Sequence, residues 1–105
     1  MVQYYNFSDL SMNKIKESLH DFIKLCLATK DAQALTELFD LFLTLEEKES
    51  LALRYKIVKE MVKQEKPQRQ IAEDIGVSIA KITRASNALK VISPKLANFL
   101  REKMR

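Results

Sequence analysis

The segment IAEDIGVSIAKITR, residues 71–84, contains Gly76, the only glycine of the chain. Apolar residues on both sides of this glycine follow a helical spacing, which predicts two short helices joined by a tight turn. Gly76 fits the corner because glycine adopts the left-handed backbone conformation after a helix at little cost. The segment therefore predicts a helix-turn-helix unit over about residues 68–90.

The second helix of this unit leaves small or extended side chains on its outer surface. Such side chains can enter a major groove, where the base pairs differ in their hydrogen-bonding groups. Gln68 and Arg69 stand at the start of the first helix, where they can meet a phosphate or a groove edge. The residues expected to contact DNA are Gln68, Arg69, Ser78, Ile79, Ala80, Lys81, Thr83 and Lys90.

The rest of the chain predicts four further helices and no strand. Its 105 residues are 47% hydrophobic and include only three Gly or Pro residues, which is typical of one helix-rich domain. The predicted helices cover about residues 11–29, 32–42, 44–64, 67–75 and 79–90, followed by a helix that Pro94 opens. We expect a single all-α domain over residues 11–105 and a flexible N-terminal arm over residues 1–10.

Residues with oxygen-bearing side chains precede several of the predicted helices. Asp31, Ser78 and Ser93 can each accept a hydrogen bond from a backbone N–H of the following turn. In TLEE, Thr44 and Glu47 have the spacing of a capping box, in which each side chain bonds the other residue's backbone. These residues therefore predict where four helices begin.

Two of the helices are more apolar than one small chain can cover. The second helix has little polar face, because its apolar residues are Leu35, Leu38, Phe39, Leu41 and Phe42. The third helix has an apolar face made of Leu51, Tyr55, Val58 and Val62, widened by Ile57 and Met61. Since a chain of this length buries only part of its apolar surface alone, we expect a homodimer.

Charge is divided unevenly between the two halves of the chain. Residues 1–50 carry five Lys and nine acidic residues, a net charge of −4, whereas residues 51–105 carry thirteen Lys or Arg and five acidic residues, a net charge of +8. The basic half predicts a polyanionic partner, here DNA. Charge alone leaves open a solvated basic surface without a partner.

Other classes of protein find little support in the sequence. No run of 18 apolar residues is present to span a membrane, and the N-terminus lacks the pattern of a signal peptide. The single Cys26 cannot form an internal disulfide, which fits a reducing cytoplasm. No nucleophile–base set and no His or Cys cluster at metal-ligand spacing is present, so we expect neither an enzyme nor a metal or cofactor site.

Two stretches, LTLEEKESLALRYKIVKEMV and QRQIAEDIGVSIAKITRASNALK, resemble the bacterial tryptophan repressor family. The resemblance runs from about residue 38 to residue 100, and ITRASNALK is its most specific part. It implies an intertwined homodimer of six-helix chains that binds double-stranded operator DNA. It also implies repression of tryptophan biosynthesis or transport genes, with L-tryptophan as the corepressor.

The resemblance also implies a tryptophan site. Arg54 and Arg84 would flank the indole ring, Arg84 would also meet the carboxylate, and Thr44 would lie close by. The backbone carbonyls of Leu41 and Leu43 would face the ammonium group. The family usually has glycine and serine at two further positions where this chain has alanine. The implied ligand-binding set is Leu41, Leu43, Thr44, Arg54, Arg84, Ala85 and Ala88.

Two alternatives remain open at this point. One is a helix-turn-helix regulator of the same fold that responds to a different indole-like ligand or to none. The other is a helical interaction dimer that does not bind DNA. Residue types alone also allow Arg54 and Arg84 to be ordinary surface residues.

Overall fold

A computed structural model of the protein describes residues 11–104, and these residues form six helices and no strand. The helices are α1 (Met12–Ala28), α2 (Ala32–Phe42), α3 (Leu45–Lys63), α4 (Gln68–Ile75), α5 (Ile79–Leu89) and α6 (Pro94–Lys103). The predicted all-α, six-helix chain is confirmed. The predicted arm, residues 1–10, lies outside the described residues.

The chain consists of two compact units, one ending at Leu43 and the other beginning at Thr44. The first unit contains α1 and α2, and the second contains α3 to α6. That residues 11–105 act as a single domain stays a prediction.

In the first unit, side-chain caps fix the start of each helix. The Ser11 hydroxyl accepts a hydrogen bond from the Lys14 backbone N–H at 3.2 Å, and the Asp31 carboxylate accepts one from the Ala34 N–H at 2.8 Å. The Asp31 cap was predicted and is confirmed. Ser11 had been placed inside α1, and the structure places it just before the helix as its cap.

Three phenylalanine rings join α1 to α2. The Phe22 ring lies 6.3 Å from the Phe39 ring and 5.1 Å from the Phe42 ring, measured between centroids, the second pair being edge-on. Both distances lie in the range of favourable ring pairs. No residue of either helix is fully buried, and Leu41 is 76% exposed. Residues 11–43 of the first unit thus have ring contacts but no enclosed core.

The second unit opens with the predicted capping box. The Thr44 hydroxyl accepts from the Glu47 N–H at 3.1 Å, and the Glu47 carboxylate accepts from the Thr44 N–H at 2.9 Å. At the other end of α3, Gln64 has a φ of 55°, in the left-handed region that non-glycine residues seldom adopt. The sequence predicted the helix to reach about Gln64 but gave no sign of this conformation.

The core of the second unit lies where α3, α4 and α5 meet. Its buried residues are Ile57, Ile71, Ala72 and Ile82, with Leu53, Met61, Ile75, Val77 and Ala85 packed around them. The side chain of Ile82 has 0% exposure, and burial of such a side chain contributes roughly 1.5–3 kcal/mol. This core joins the two helices of the predicted helix-turn-helix unit to each other and to α3. The part of α3 that packs here centres on Ile57, whereas Leu51 and Tyr55 of the predicted face are half exposed.

Gly76 makes the corner between α4 and α5, as predicted. Its φ is 83°, and its N–H and that of Val77 both donate to the Ala72 carbonyl, at 2.9 Å and 3.0 Å. A Cβ atom added at Gly76 would meet no atom within 4 Å. The requirement for glycine therefore comes from the backbone conformation and not from lack of space.

Two details of the predicted caps need correction. Ser78 precedes α5, but its hydroxyl makes no capping bond, because the Lys81 N–H donates to the Ser78 backbone carbonyl at 3.1 Å instead. Pro67 lies just before α4 with an extended backbone, one residue earlier than the predicted first turn. The predicted Ser93 cap is confirmed, since its hydroxyl accepts from the Leu96 N–H at 3.1 Å.

Candidate functional site

The helix-turn-helix unit turns one side of α5 outward, because Ile82 anchors the opposite side in the core. Most of the residues expected to contact DNA are exposed, namely Arg69, Ser78, Ile79, Ala80, Lys81, Thr83 and Lys90, and Gln68 is half-buried. The Ser78 hydroxyl accepts no capping hydrogen bond from a backbone N–H of α5. These residues lie at the surface as expected, and their contact with DNA stays a prediction.

A pocket of about 330 Å³ lies between α3 and α5 within the second unit. Its nine lining residues are Ser50, Leu53, Arg54, Ile57, Val58, Lys81, Arg84, Ala85 and Ala88. On both α3 and α5, successive lining residues are alternately three positions and one position apart, as expected for residues on one face of a helix. Each set is therefore one stripe along a helix, and the pocket lies where the two stripes face each other.

The pocket combines apolar walls with positive charge. Arg54, Lys81 and Arg84 line it, and no acidic side chain is among its lining residues. Within residues 11–104, none of these three cations has a salt bridge or a side-chain hydrogen bond to another residue. An apolar surface beside uncompensated cations suits a molecule with an apolar body and an anionic group.

The pocket brings together four of the seven residues implied for the tryptophan site: Arg54, Arg84, Ala85 and Ala88. Thr44 is not one of its lining residues and instead caps α3. Leu41 and Leu43 belong to the first unit, where the Leu43 N–H donates to the Phe39 carbonyl at 2.8 Å. A ligand role for these seven residues stays a prediction.

Sequence reasoning missed five pocket residues, namely Ser50, Leu53, Ile57, Val58 and the pocket-facing Lys81. Each of them shares a helical stripe with an arginine already selected, but only the packing of α5 against α3 shows that these stripes line a pocket. From Arg54 the stripe extends to residues 50 and 58, and from Arg84 it extends to residues 81 and 88. Lys81 had been assigned only to the DNA-facing surface.

A hydrogen-bonded cluster ties the connector before α4 to the end of that helix. One carboxylate oxygen of Asp74 accepts from the Lys66 ammonium at 2.8 Å, and the other accepts from the Gln70 amide at 2.8 Å. The hydrogen bonds from Lys66 and Gln70 lower the pKa of Asp74, and the same bond to Asp74 raises the pKa of Lys66. All three groups are at the surface, so the cluster contributes little to the stability of the fold.

The residues that the structure describes form neither a membrane-spanning helix nor a metal-binding cluster. None of the six helices is long and apolar enough to cross a membrane. No three His, Cys, Asp or Glu side chains come close enough together to hold a metal ion.

The model of the family described as Trp repressor protein matches residues 17–104. This chain belongs to the Trp repressor family. The match covers both the helix-turn-helix unit and the α3–α5 pocket, so these two features lie inside the shared Trp repressor domain. The family is one of regulators and not of enzymes.

Several relatives in the Trp repressor family are named Trp operon repressor homolog. The relative from Chlamydia caviae is 49% identical over 81 residues, covering 77% of this chain and 80% of its own length. The relative from Chlamydia trachomatis serovar D is 40% identical over 92 residues, or 88% and 98% of the two chains. The relative from Pasteurella multocida is 35% identical over 89 residues, or 84% and 86%. The predicted resemblance is confirmed, and it extends over most of the chain.

Proposed function

We propose that this chain is a DNA-binding transcriptional repressor of tryptophan biosynthesis or transport genes and that L-tryptophan activates it as corepressor. The observation that carries the proposal is the position of α5. This helix supplies one wall of the α3–α5 pocket and also the exposed surface of the helix-turn-helix unit. A ligand in the pocket therefore contacts the same helix that would enter the major groove.

The chemistry of the pocket suits tryptophan. Guanidinium groups stack on aromatic rings and pair with carboxylates, so Arg54 and Arg84 can hold the indole and the carboxylate. The apolar side chains of Leu53, Ile57 and Val58 supply a surface for the ring. For the ammonium group, the family resemblance implies the backbone carbonyls of Leu41 and Leu43.

Ligand binding would act by fixing the position of α5. In our proposal the indole fills the space between α3 and α5 and holds the helix at one distance from α3. In a dimer, the two copies of α5 would then be held at the spacing of successive major grooves, about 34 Å. Without the ligand, α5 would vary in position, and DNA affinity would fall because the matched spacing would be populated for only part of the time.

A homodimer is part of this proposal. The apolar stripe of Leu19, Ile23 and Leu27 on α1 is 56%, 53% and 80% exposed. Exposed apolar surface of this kind, on helices that contain no buried residue, is typical of a face that a partner covers. A second copy of the chain is the partner that also supplies a second recognition helix.

Contacts to DNA would divide into two classes. Lysines such as Lys90 would meet phosphates and release counterions, which makes affinity fall as salt rises. Arg69, at the exposed start of α4, would approach a base edge, and its loss would cost roughly 1–3 kcal/mol at one base pair. Ala80 and Thr83, which are exposed on α5, are small enough to let the helix approach the groove floor.

A gel-shift assay on the protein's own upstream region, with and without L-tryptophan, tests the proposal. We expect a specific shift that tryptophan strengthens, and we expect Arg84→Ala to remove this dependence while weaker binding remains. A shift of equal strength with and without tryptophan would instead support a regulator with another ligand or none. Absence of any shift under both conditions would support an interaction dimer.

A further inference from the structure

Lys81 gives the α3–α5 pocket a third positive charge. Its side chain lines the same space as Arg54 and Arg84, and the rest of the lining is apolar except for Ser50. Two cations are enough to hold the ring and the single carboxylate of an amino acid. The third cation has no role in that binding mode, and no residue in the described range pairs with it.

Three like charges around one small pocket repel each other, and a bound anion reduces that repulsion. A ligand with one acidic group would compensate only part of the charge. A ligand with two acidic groups could pair with Arg84 on one side and with Lys81, one helical turn away, on the other. The pocket would then gain a second charge-assisted hydrogen bond.

We infer that the pocket also accepts an apolar compound with two acidic groups, and that Lys81 selects for the second group. This inference rests on the proposed function in that it places a second class of effector in the proposed corepressor pocket. The volume of about 330 Å³ is at the small end of ligand pockets, which span roughly 300–1,000 Å³. One aromatic ring with a short, doubly acidic side chain matches that size.

The second effector would differ from tryptophan in its effect on the helix-turn-helix unit. Tryptophan leaves Lys81 available to a DNA phosphate, whereas a dianion engages the Lys81 ammonium inside the pocket. The dianion would therefore compete with DNA for one cation of each chain. It would lower DNA affinity, and the salt dependence of DNA binding would become less steep.

Two probes that differ only by one acidic arm test the selectivity. 3-Phenylpropionate has one carboxylate, and benzylsuccinate carries the same skeleton with an added carboxymethyl group. By calorimetry on the full chain at low salt, we expect benzylsuccinate to bind about tenfold more tightly than phenylpropionate. Lys81→Met should reduce that ratio to near one, and Lys81→Arg should retain it.

Lys56→Met is the matched control, because Lys56 is exposed on α3, does not line the pocket, and loses the same charge. It should leave the ratio of the two affinities unchanged. A ratio near one in the unmodified protein, or a ratio that Lys81→Met leaves intact, overturns the inference. If the Lys56 and Lys81 variants lower the affinity ratio equally, the inference is overturned too, because the preference would then come from net charge alone.

The gel shift and the calorimetry report separately on the tryptophan corepressor and on the dianion site. If tryptophan strengthens the gel shift and benzylsuccinate shows no preference, only the dianion site is wrong. If benzylsuccinate shows its Lys81-dependent preference and tryptophan leaves DNA binding unchanged, the dianion site stands and the tryptophan corepressor is wrong.

Discussion

Each unit of the chain has helices that begin with a side-chain cap, but the two units differ in how far their apolar side chains are buried. In the first unit, Ser11 and Asp31 cap α1 and α2, yet neither helix contains a buried residue. In the second, Thr44 caps α3 in the same way, and Ile57, Ile71 and Ile82 are enclosed. Capping determines where a helix begins, but it does not supply a core. The second unit has its core within one chain, and the first has apolar faces that a partner could cover.

The largest expected effect is on the core of the second unit. Ile82→Ala should lower the free energy of unfolding by roughly 2–5 kcal/mol, because it leaves a cavity among enclosed side chains. Ile79→Ala, three residues earlier on the same helix and 48% exposed, should cost much less. Urea unfolding followed by circular dichroism measures both. Similar losses in the two variants would mean that the second unit does not carry its own core.

The next prediction concerns the first unit. If a second copy covers its apolar stripe, the unfolding midpoint should rise with protein concentration, and light scattering should give a dimer mass. Ile23→Lys places a charge on that stripe and should shift the mass towards the monomer. Lys24→Ala, at a neighbouring exposed position, should not. An unfolding midpoint independent of concentration, together with a folded monomer, would show that the first unit needs no partner.

A smaller effect on stability is expected from the residues that end the helices, which differ in backbone conformation between the two units. α1 and α2 end at Thr29 and Leu43, which are extended, whereas α3 and α4 end at Gln64 and Gly76, which are left-handed. Gly76→Ala should cost about 1 kcal/mol, since a side chain disfavours that conformation and no neighbour clashes.

Gln64→Gly should have the opposite sign, because it relieves the same conformational cost at the end of α3. Thermal unfolding of both variants measures the contrast. A stabilising Gly76→Ala would show that the corner relaxes out of the left-handed region, and a destabilising Gln64→Gly would show that the Gln64 side chain contributes more than its backbone costs.

The smallest effect is the pH dependence of the Lys66–Asp74 pair. The pKa of Asp74 is lowered in the folded chain, so its stabilising contribution is present above its ordinary value of 3.8 and is lost as the pH falls below it. The pKa of Lys66 is raised, so its contribution is present below 10.5 and is lost above that pH. Asp74→Asn should therefore be slightly less stable than the unmodified protein near neutral pH. The difference should shrink in acid, and a constant difference from pH 7 to pH 2 would contradict the ionic origin.

The sequence predicted what depends on local chemistry or on helical period. The Thr44 box and the Gly76 corner both follow from residue type and spacing, and both are confirmed. The left-handed Gln64 was not predictable, because glutamine carries no preference for that conformation. The sequence did not predict that the Ser78 hydroxyl makes no capping bond, because the Lys81 N–H donates to the Ser78 backbone carbonyl instead.

The pocket-facing position of Lys81 was missed for a different reason. The period of α5 shows which residues share a stripe, but it does not show how α5 crosses α3. Some residues lie between the buried and the exposed side of a helix. The angle at which α5 crosses α3 determines whether such residues face solvent or the neighbouring helix. Arg54 and Arg84 were selected through family resemblance, whereas Lys81 needed the three-dimensional arrangement.

The interleaved stripes of α5 have a consequence for how such a protein can diverge. Consecutive positions on this helix serve different surfaces: Ala80 lies outside, Lys81 lines the pocket, Ile82 is in the core and Thr83 lies outside again. Successive side chains are about 100° apart around the helix axis. A replacement bulky enough to reach beyond its own side of the helix therefore alters two surfaces at once. If α5 serves the proposed function, such a replacement would change operator preference and effector preference together.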